Sequence, residues 1–282
     1  MSWKGRGDLL RGYYAAASGM KAQQRRQETL SNNLANAQTP GFKQDQAAIR
    51  AFPELLINRI GKENIPTTRP FSVPTQQAIG SLNTGVYVQE TIADHQQGGL
   101  QETGMTTDMA LINVELPDET GGLFFAVQNG NGDVRYTRNG NFTIDGEGYL
   151  TTNQGYYVLN QAGEPIFTDG QVFSVTSEGE LEINGAIIPL NIVYTENVND
   201  LIKDDHDLFT FTDGVGEAVD ARGMAGVSFA IQQRYLENSN VDLVQTMTDM
   251  MQAYRLFEAN QKVVQAYDQS MDIAVNQIGR LT

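Results

Sequence analysis

Two short acidic runs are the residues best suited to chemistry in this sequence, and neither forms a complete site. The run DDHD at 204–207 offers carboxylates of the kind that bind a hard cation, but such runs are commonly hydrated loops. The run DGEG at 145–148 resembles part of a calcium loop without the ligand at its twelfth position, and Asp-Gly is typical of a turn. We therefore interpret both runs as loops.

Other catalytic patterns are absent from the sequence. It contains two histidines, His95 and His206, no cysteine, no G-x-S-x-G elbow and no phosphate-binding loop. The lack of cysteine excludes disulfides and thiol chemistry. We predict that the protein is not an enzyme, that no residue is catalytic, cofactor-binding or metal-binding, and that it uses neither a cofactor nor a small-molecule substrate.

Composition and charge exclude several classes of partner. The 282 residues are 40% hydrophobic and carry a net charge of -15, which opposes binding to nucleic acid or to an anionic membrane. No apolar run approaches the roughly 18 residues of a membrane span. The first thirty residues lack the apolar core of a Sec-type signal. We expect a protein that is cytoplasmic or leaves the cell by a route without such a signal.

The charge is distributed unevenly along the chain. Residues 1–50 carry eight Lys or Arg and three acidic residues, a net charge of +5, which leaves −20 on the remainder. Two interpretations stay open at this point. The basic segment is either a solvated helix face beside an acidic domain, or a surface that attracts the acidic body of another copy.

A seven-residue repeat near the C-terminus is the clearest pattern in the sequence. From Leu243 onward, nine of eleven positions spaced alternately four and three residues apart are apolar, which predicts a coiled-coil helix. The positions are Leu243, Met247, Met250, Tyr254, Phe257, Gln261, Val264, Asp268, Met271, Val275 and Ile278. Gln261 and Asp268 either fix the register of the pairing or reflect drift from the ideal repeat. Asn238–Asn240 and Asp242 offer oxygens that cap the start of this helix.

A second amphipathic helix is predicted from Leu9 to Asn36, after a loose extension of eight residues. Its end coincides with SNNLANAQTPGFK at 31–43. The residue before a proline is disfavoured in the α region, so Thr39–Pro40 ends the helix, and Gly41 lets the chain turn so that Phe42 folds back. An isolated helix cannot bury its apolar stripe, so both predicted helices require each other or other subunits.

Between the helices the sequence predicts an antiparallel sheet. Turn pairs such as Asn129-Gly130 and Asn184-Gly185 separate short strand-like runs. The predicted class is α+β, with an antiparallel β-rich central domain flanked by long N- and C-terminal helices that pair as a coiled coil. The predicted domains are a helical segment at 1–42, an extended linker at 43–90 with a short helix after Pro53, a β domain at 91–225, a return linker at 226–238 and the C-terminal helix at 239–282.

Several of these segments resemble one known family. SNNLANAQTPGFK closely resembles the N-terminal signature of flagellar axial proteins, approximately S-N-N-[LI]-A-N-x-x-T-x-G-[FY]-K. SNVDLV and YxxxxANQKV are similar to the closing segment of that family, and the stretch from DMALINVEL to GEGYLTT resembles the β domain of its rod proteins. The motif and seam residues expected to act in assembly are Ser31, Asn32, Asn33, Leu34, Ala35, Asn36, Thr39, Pro40, Gly41, Phe42, Lys43, Ser239, Asn240, Val241, Asp242, Leu243, Val244, Met247, Met250, Tyr254, Phe257, Ala259, Asn260, Gln261, Val264 and Met271.

The resemblance implies a structural subunit of the bacterial flagellar basal-body rod, of the distal or proximal type. In this family the terminal helices pair as coiled coils and line a helical tube, which serves as drive shaft and export channel between basal body and hook. The implied partners are further copies of the chain, other rod and hook subunits, and the flagellar type III export apparatus, which acts without a cleaved Sec signal. Two alternatives are a hook-family scaffold or cap protein and a secreted coiled-coil binding protein.

Overall fold

The computed structural model describes residues 4–65, 71–118, 120–204, 207–211 and 218–278. The chain divides into two compact units. The helical unit is built from segments within 1–31, 46–91 and 244–282, and the β unit from 32–45 and 92–243. Each unit therefore combines segments that are distant in the sequence.

Two long helices dominate the helical unit, α1 (Lys4–Ala35) and α2 (Leu243–Ile273), and a π-helical turn, Ala274–Ile278, follows α2. Helix α1 begins at Lys4, before the predicted Leu9, although Gly5 and Gly7 are poor helix formers. It also ends at Ala35, before Thr39–Pro40, and turns occupy the residues between. Neither helix is long and apolar enough, over its described residues, to cross a membrane.

Four strands precede the main part of the β unit: β1 (Asp45–Ala51), β2 (Leu55–Ile65), β3 (Phe71–Leu82) and β4 (Val86–Ala93). Strand β1 pairs with β4, and β2 pairs with β3 in an antiparallel ladder that runs from Leu55 opposite Leu82 to Ile65 opposite Phe71. The predicted short helix after Pro53 is wrong, and the segment predicted as an extended linker contains two strand pairs. A long ladder pairs the backbone groups that face the partner strand, and isoleucines favour strand.

The β unit contains sixteen further strands among its described residues. They are β5 (Leu100–Glu102), β6 (Met109–Glu115), β7 (Gly122–Gln128), β8 (Val134–Thr137), β9 (Phe142–Ile144), β10 (Leu150–Thr152), β11 (Tyr157–Val158), β12 (Ser174–Val175), β13 (Glu180–Ile183), β14 (Ala186–Pro189), β15 (Ile192–Thr195), β16 (Leu201–Lys203), β17 (Leu208–Phe211), β18 (Val219–Asp220), β19 (Ser228–Gln233) and β20 (Tyr235–Glu237). The largest sheet follows the order β16-β17-β8-β7-β11-β10-β9, with β15 pairing with both β7 and β18. The predicted antiparallel β-rich centre is confirmed.

Strand β7 lies at the centre of this sheet and is buried on both faces. Leu123, Phe125 and Val127 pack into the larger apolar cluster of the β unit, while Phe124 and Ala126 pack into a smaller one on the other face. Successive side chains of a strand point to opposite faces. Burial of both faces explains why GLFFAVQ is continuously apolar instead of alternating.

The predicted turn at Asn184-Gly185 is confirmed. It joins β13 to β14, whose last pair places Ile183 opposite Ala186. Both turn residues have positive φ, 50° for Asn184 and 84° for Gly185, as a two-residue hairpin turn requires.

The segment predicted as a return linker, 226–238, instead completes the β unit. Strand β19 pairs with β6 and β20 pairs with β5. Ile231 and Leu236 are buried, which gives these strands an apolar face. The strands within SFAIQQRYLE were not predicted because no Asn-Gly or Asp-Gly turn marks the ends of this run.

Candidate assembly junction

The end of α1 is tied to the start of β1 by the amide of Asn33. Its side chain is fully buried, and its Nδ2 donates to the carbonyl oxygen of Asp45 at 2.8 Å. Its Oδ1 accepts a hydrogen bond from the Asp45 backbone N–H at 2.9 Å. This two-way contact reproduces strand-like pairing with a side chain, so an apolar residue at position 33 would leave both Asp45 groups without this partner.

The turn after α1 is formed by the motif residues Asn36, Thr39 and Gly41. Asn36 Nδ2 donates to the carbonyl of Asn32 at 3.0 Å, and the Thr39 hydroxyl donates to Asn36 Oδ1 at 3.2 Å. Gly41 has a φ of 71°, and a Cβ at this position would lie 2.6 Å from the carbonyl carbon of Arg138. The backbone therefore requires glycine at position 41 for two reasons, its left-handed conformation and its close contact with another segment.

Three charged side chains form a buried cluster next to this turn. Glu237 accepts a hydrogen bond from Lys43 Nζ through Oε1 at 2.7 Å and from Arg138 Nε through Oε2 at 2.6 Å. All three side chains are at most 3% exposed. The Gly41 backbone N–H donates to the carbonyl of Glu237 at 2.7 Å, so the same residue also holds the turn through its main chain.

The two cations also donate hydrogen bonds to groups outside the cluster. Arg138 donates to the carbonyls of Leu123 at 2.7 Å and Leu111 at 2.6 Å, and to Asn113 Oδ1 at 2.9 Å. Lys43 Nζ donates to the carbonyl of Gln96 at 2.7 Å. We call Lys43, Arg138 and Glu237 the ion cluster. Buried charges are tolerated when they are paired and hydrogen-bonded in this way.

The ion cluster shifts the pKa values of its members. Burial raises the pKa of Glu237, but the nearby charges of Arg138 and Lys43 outweigh burial and hold that pKa below its usual value. Burial lowers the pKa of Lys43, and the Glu237 charge opposes this effect. Glu237 is therefore ionised at neutral pH and neutralises one of two adjacent cations.

Asn240 holds the entrance to α2 instead of capping it. Its Oδ1 accepts a hydrogen bond from the Gln44 backbone N–H at 2.7 Å, and its Nδ2 donates to the carbonyl of Asp94 at 2.8 Å. The capping role predicted for this residue is wrong, since α2 begins only at Leu243. Ser239 is also used locally, because its hydroxyl accepts from the Val241 N–H at 3.3 Å.

Phe42 and His95 lie beside the ion cluster. Phe42 is 1% exposed, and Lys203 Nζ lies 3.7 Å from the centre of its ring. The ring centroid of His95 lies 5.4 Å from that of Phe209, and its Nδ1 is buried without a partner among the described residues. Burial, with the nearby charge of Lys43, lowers the pKa of His95 to about 4, so its imidazole is neutral near pH 7.

The seam residues of α2 divide into two rows in the structure. One row of the predicted seam is partly buried: Met250, Phe257, Val264 and Met271. The other row is exposed: Met247, Tyr254, Gln261, Asp268 and Val275, and Leu243 at the start of the first row is exposed as well. We call them the shared row and the outer row. The side chain of Ile278 lies outside the described residues.

Within the chain, α2 instead buries a row that the repeat did not include. This inner row comprises Thr246, Ala253, Asn260 and Tyr267, of which the first two are 2% and 0% exposed. It approaches small residues of α1: a Cβ on Gly12 would overlap the ring of Tyr267, and one on Gly19 would lie 2.9 Å from Asn260 Nδ2. Ascending positions of α1 meet descending positions of α2, so the helices run antiparallel. An apolar repeat does not reveal this row, because most of its side chains are small or polar.

The two acidic runs behave as loops in their described residues. Asp145 Oδ1 accepts hydrogen bonds from the N–H groups of Glu147 and Tyr149, which confirms a turn. Arg135 Nε donates to Asp204 Oδ2 at 3.1 Å, while Asp205 and His206 lie outside the described residues. No group of three His, Asp or Glu side chains suited to a metal occurs in the described part of the chain.

Lys43 was predicted only as a motif member, and its partners Arg138 and Glu237 were not predicted. Arg and Glu are rarely buried, so a single sequence gives no reason to place them in a core. The only signal was that Arg138 belongs to the TRNGNF run that resembles rod proteins and that Glu237 directly precedes the NSNVDLV segment.

Three family models match the chain, one at each end and one in the middle. The model of the flagella basal body rod protein matches residues 14–43. The model of the flagellar hook protein FlgE/F/G D1 domain matches 120–196, and that of the flagellar basal body rod FlgEFG protein C-terminal region matches 232–278. The matched ends contain Lys43 and Glu237, and the middle match contains Arg138.

Relatives resemble the chain over nearly its whole length. The flagellar hook-basal body complex protein FlhO of Bacillus subtilis (strain 168) is 41% identical over 279 residues, covering 97% of this chain and 100% of the relative. The flagellar basal-body rod protein FlgG of the same organism is 32% identical, covering 95% and 99%. FlgG of Borreliella burgdorferi is 30% identical, covering 95% and 98%. The chain belongs to the flagellar basal-body rod and hook protein family.

Family membership fixes the broad role. The protein is a structural rod subunit of the flagellar basal body and not an enzyme. It assembles with other flagellar axial subunits.

Proposed function

We propose that this rod subunit polymerises helically through its terminal helices, and that the polymer serves as drive shaft and export channel between basal body and hook. The observation that carries the proposal is the division of α2 into rows. The inner and shared rows are at least partly buried within the chain, while Leu243, Met247 and Tyr254 stay 39–61% exposed. Exposed apolar side chains that recur along a helix indicate an interface.

The coiled-coil pairing of the terminal segments, 1–42 and 239–282, is part of this proposal. Antiparallel contacts of Gly12 with Tyr267 and of Gly19 with Asn260 support it. Arg26 Nη2 lies 3.9 Å from Asp249 Oδ2, which extends the contact along both helices. We further propose that the β domain at 91–225 acts together with the strands of 226–238 that pair with it.

The motif residues have a defined part in this assembly. The segments 31–43 and 239–243 are held within the β unit by hydrogen bonds of Asn33, Gly41, Lys43 and Asn240. We propose that the flagellar type III apparatus exports the subunit without cleavage of a Sec signal. Loss of the subunit from culture medium in an export-deficient strain, detected with an antibody, would support this route.

Deletion of the gene followed by electron microscopy of isolated basal bodies tests the rod role. We expect a truncated rod without hook and filament, and the break point places the subunit along the axis. Intact rods and filaments in the deletion strain would contradict the proposal.

A second experiment tests the helices. Met250→Asp and Val264→Asp place a charge in the shared row and should leave the β unit folded but prevent incorporation into the rod. Gln252→Asp, on the exposed side of α2, is the matched control. Normal incorporation of the two shared-row variants would show that the helices do not pair as proposed.

A further inference from the structure

A groove of about 490 Å³ lies within the helical unit, between α1 and the strand pair β1–β4. Its floor is formed by Phe52 and Tyr87, whose ring centroids lie 5.1 Å apart and which are 39% and 36% exposed. Lys21 and Arg25 of α1 and Glu90 of β4 are the charged residues that line the groove, which gives the lining a net positive charge. We call this the aromatic groove.

The aromatic groove has a fixed shape. The Ser18 hydroxyl accepts a hydrogen bond from the Val86 N–H at 3.3 Å, and the Phe52 N–H donates to the carbonyl of Gly85 at 3.0 Å. These bonds hold β4 against α1 on one side and against the end of β1 on the other. A pre-formed concave surface with exposed aromatic rings beside cations has the composition of a protein interface centre.

The two units differ strongly in charge. The segments of the helical unit contain 13 Lys or Arg and 9 Asp or Glu, which sum to +4. Those of the β unit contain 6 and 25, which sum to −19. Opposite net charges on two parts of one chain favour contacts between unlike parts of neighbouring copies.

We propose that the aromatic groove of one subunit docks the acidic β unit of a second copy of this chain. This inference rests on the proposed polymerisation and names a surface for it outside the terminal helix rows. The charge difference between the units favours this occupant over the helical unit of another copy. A contact between unlike surfaces is also the kind that extends into a helical filament instead of closing as a dimer.

Photo-crosslinking in flagellated cells tests the proposal. Phe52 is replaced by p-benzoylphenylalanine, basal bodies are isolated after irradiation, and cross-linked peptides are identified by mass spectrometry. We expect peptides from residues 92–243 of a second copy. Tyr14, which is 62% exposed on α1 and does not line the groove, is the matched position for background cross-linking.

A charge reversal gives a second arm of the experiment. Lys21→Glu combined with Arg25→Glu should reduce the cross-link from position 52 at least about tenfold, since interface charges of the wrong sign disfavour the partner. Lys262→Glu, an exposed reversal on α2, should leave it unchanged. Cross-links only to another protein or to residues outside 92–243, or no cross-link while the subunit is present in basal bodies, would overturn the inference. Absence of the subunit from basal bodies would contradict the proposed function itself.

Discussion

Glu237 is the residue on which the junction depends, because it contacts the segment 41–43, Arg138 and the Gly98 backbone N–H at once. Its carboxylate neutralises Lys43 and Arg138, and its carbonyl accepts from Gly41. Two cations face one anion in a dry environment, so removal of the anion leaves both cations without a counterion. The effect on stability should therefore exceed that of any exposed ion pair of this chain.

Glu237→Gln should lower the free energy of unfolding of the β unit by about 3–5 kcal/mol, because it leaves buried charges uncompensated while keeping the side-chain shape. Urea denaturation followed by fluorescence measures the change. Glu147→Gln, at an exposed turn, is the control and should change stability by less than about 0.5 kcal/mol. Equal stability of the two variants would show that the cluster does not stabilise the fold.

Gly41→Ala should destabilise the β unit by about 2–4 kcal/mol, through left-handed strain and overlap with the backbone of Arg138. Gly104→Ala isolates the first cause. Gly104 has a φ of 74°, close to that of Gly41, but nothing lies within 4 Å of its added Cβ. Thermal melts of both variants should therefore differ by the steric part alone, and identical melting temperatures would disprove the close contact.

Because of His95, the free energy of unfolding should decrease as the pH is lowered from about 7 to about 4. Its pKa is about 4 in the folded state and 6.5 ordinarily, so the unfolded chain binds the proton more readily in this window. The loss amounts to about 3 kcal/mol at most. Denaturation curves of His95→Phe, which keeps an aromatic ring beside Phe124 and Phe209, should show a shallower pH dependence than the unmodified protein. An unchanged slope would assign the effect to other groups.

At the scale of elements, the apolar repeat predicted helix α2 correctly but did not predict which of its residues contact α1. The periodicity correctly predicted a long helix, and Met250, Phe257, Val264 and Met271 are partly buried. The neighbouring row that packs within the chain is formed by Thr246, Ala253, Asn260 and Tyr267. Small and polar side chains do not form a recognisable hydrophobic stripe. The sequence therefore could not indicate that the inner row, next to the shared row, faces α1.

The rows predict different effects on the unassembled subunit. Met250→Asp should lower the circular dichroism signal of the helices at 222 nm. It should also lower the stability of the helical unit by about 1–3 kcal/mol, because a charge enters a partly buried contact. Met247 belongs to the outer row and is 50% exposed, so Met247→Asp should leave the signal at 222 nm unchanged. Equal losses in both variants would indicate that both rows are covered before assembly.

Strands were predictable where turn chemistry marked them and not elsewhere. Asn184-Gly185 defined a hairpin directly, and GLFFAVQ was evident from its apolar run. The hairpin of β2 and β3 and the strands of 226–238 lack such marks, and their pairing with distant segments decides their conformation. The ion cluster was unpredictable for the same reason, since its members are 99 and 194 positions apart from Glu237.

At the scale of the whole molecule, the β unit depends on both ends of its sequence. A fragment of residues 91–225 lacks Lys43, β19, β20 and Glu237, and it should fail to unfold cooperatively. A fragment of 32–243 retains them all and should show a single sharp transition. Calorimetry of the two fragments distinguishes the cases, and a sharp transition in the shorter one would make 91–225 an independent domain.

The separation of Lys43 and Glu237 also has a kinetic meaning. When a chain emerges from a ribosome or a narrow passage from either end, the two residues become available at very different times. If the N-terminus emerges first, Arg138 lacks the carboxylate of Glu237 until late, and if the C-terminus emerges first, Glu237 lacks Lys43. Closing a loop of this size is also slow. Completion of the β unit is thus delayed until nearly the whole chain is out, which keeps the emerging chain unfolded while it is still moving.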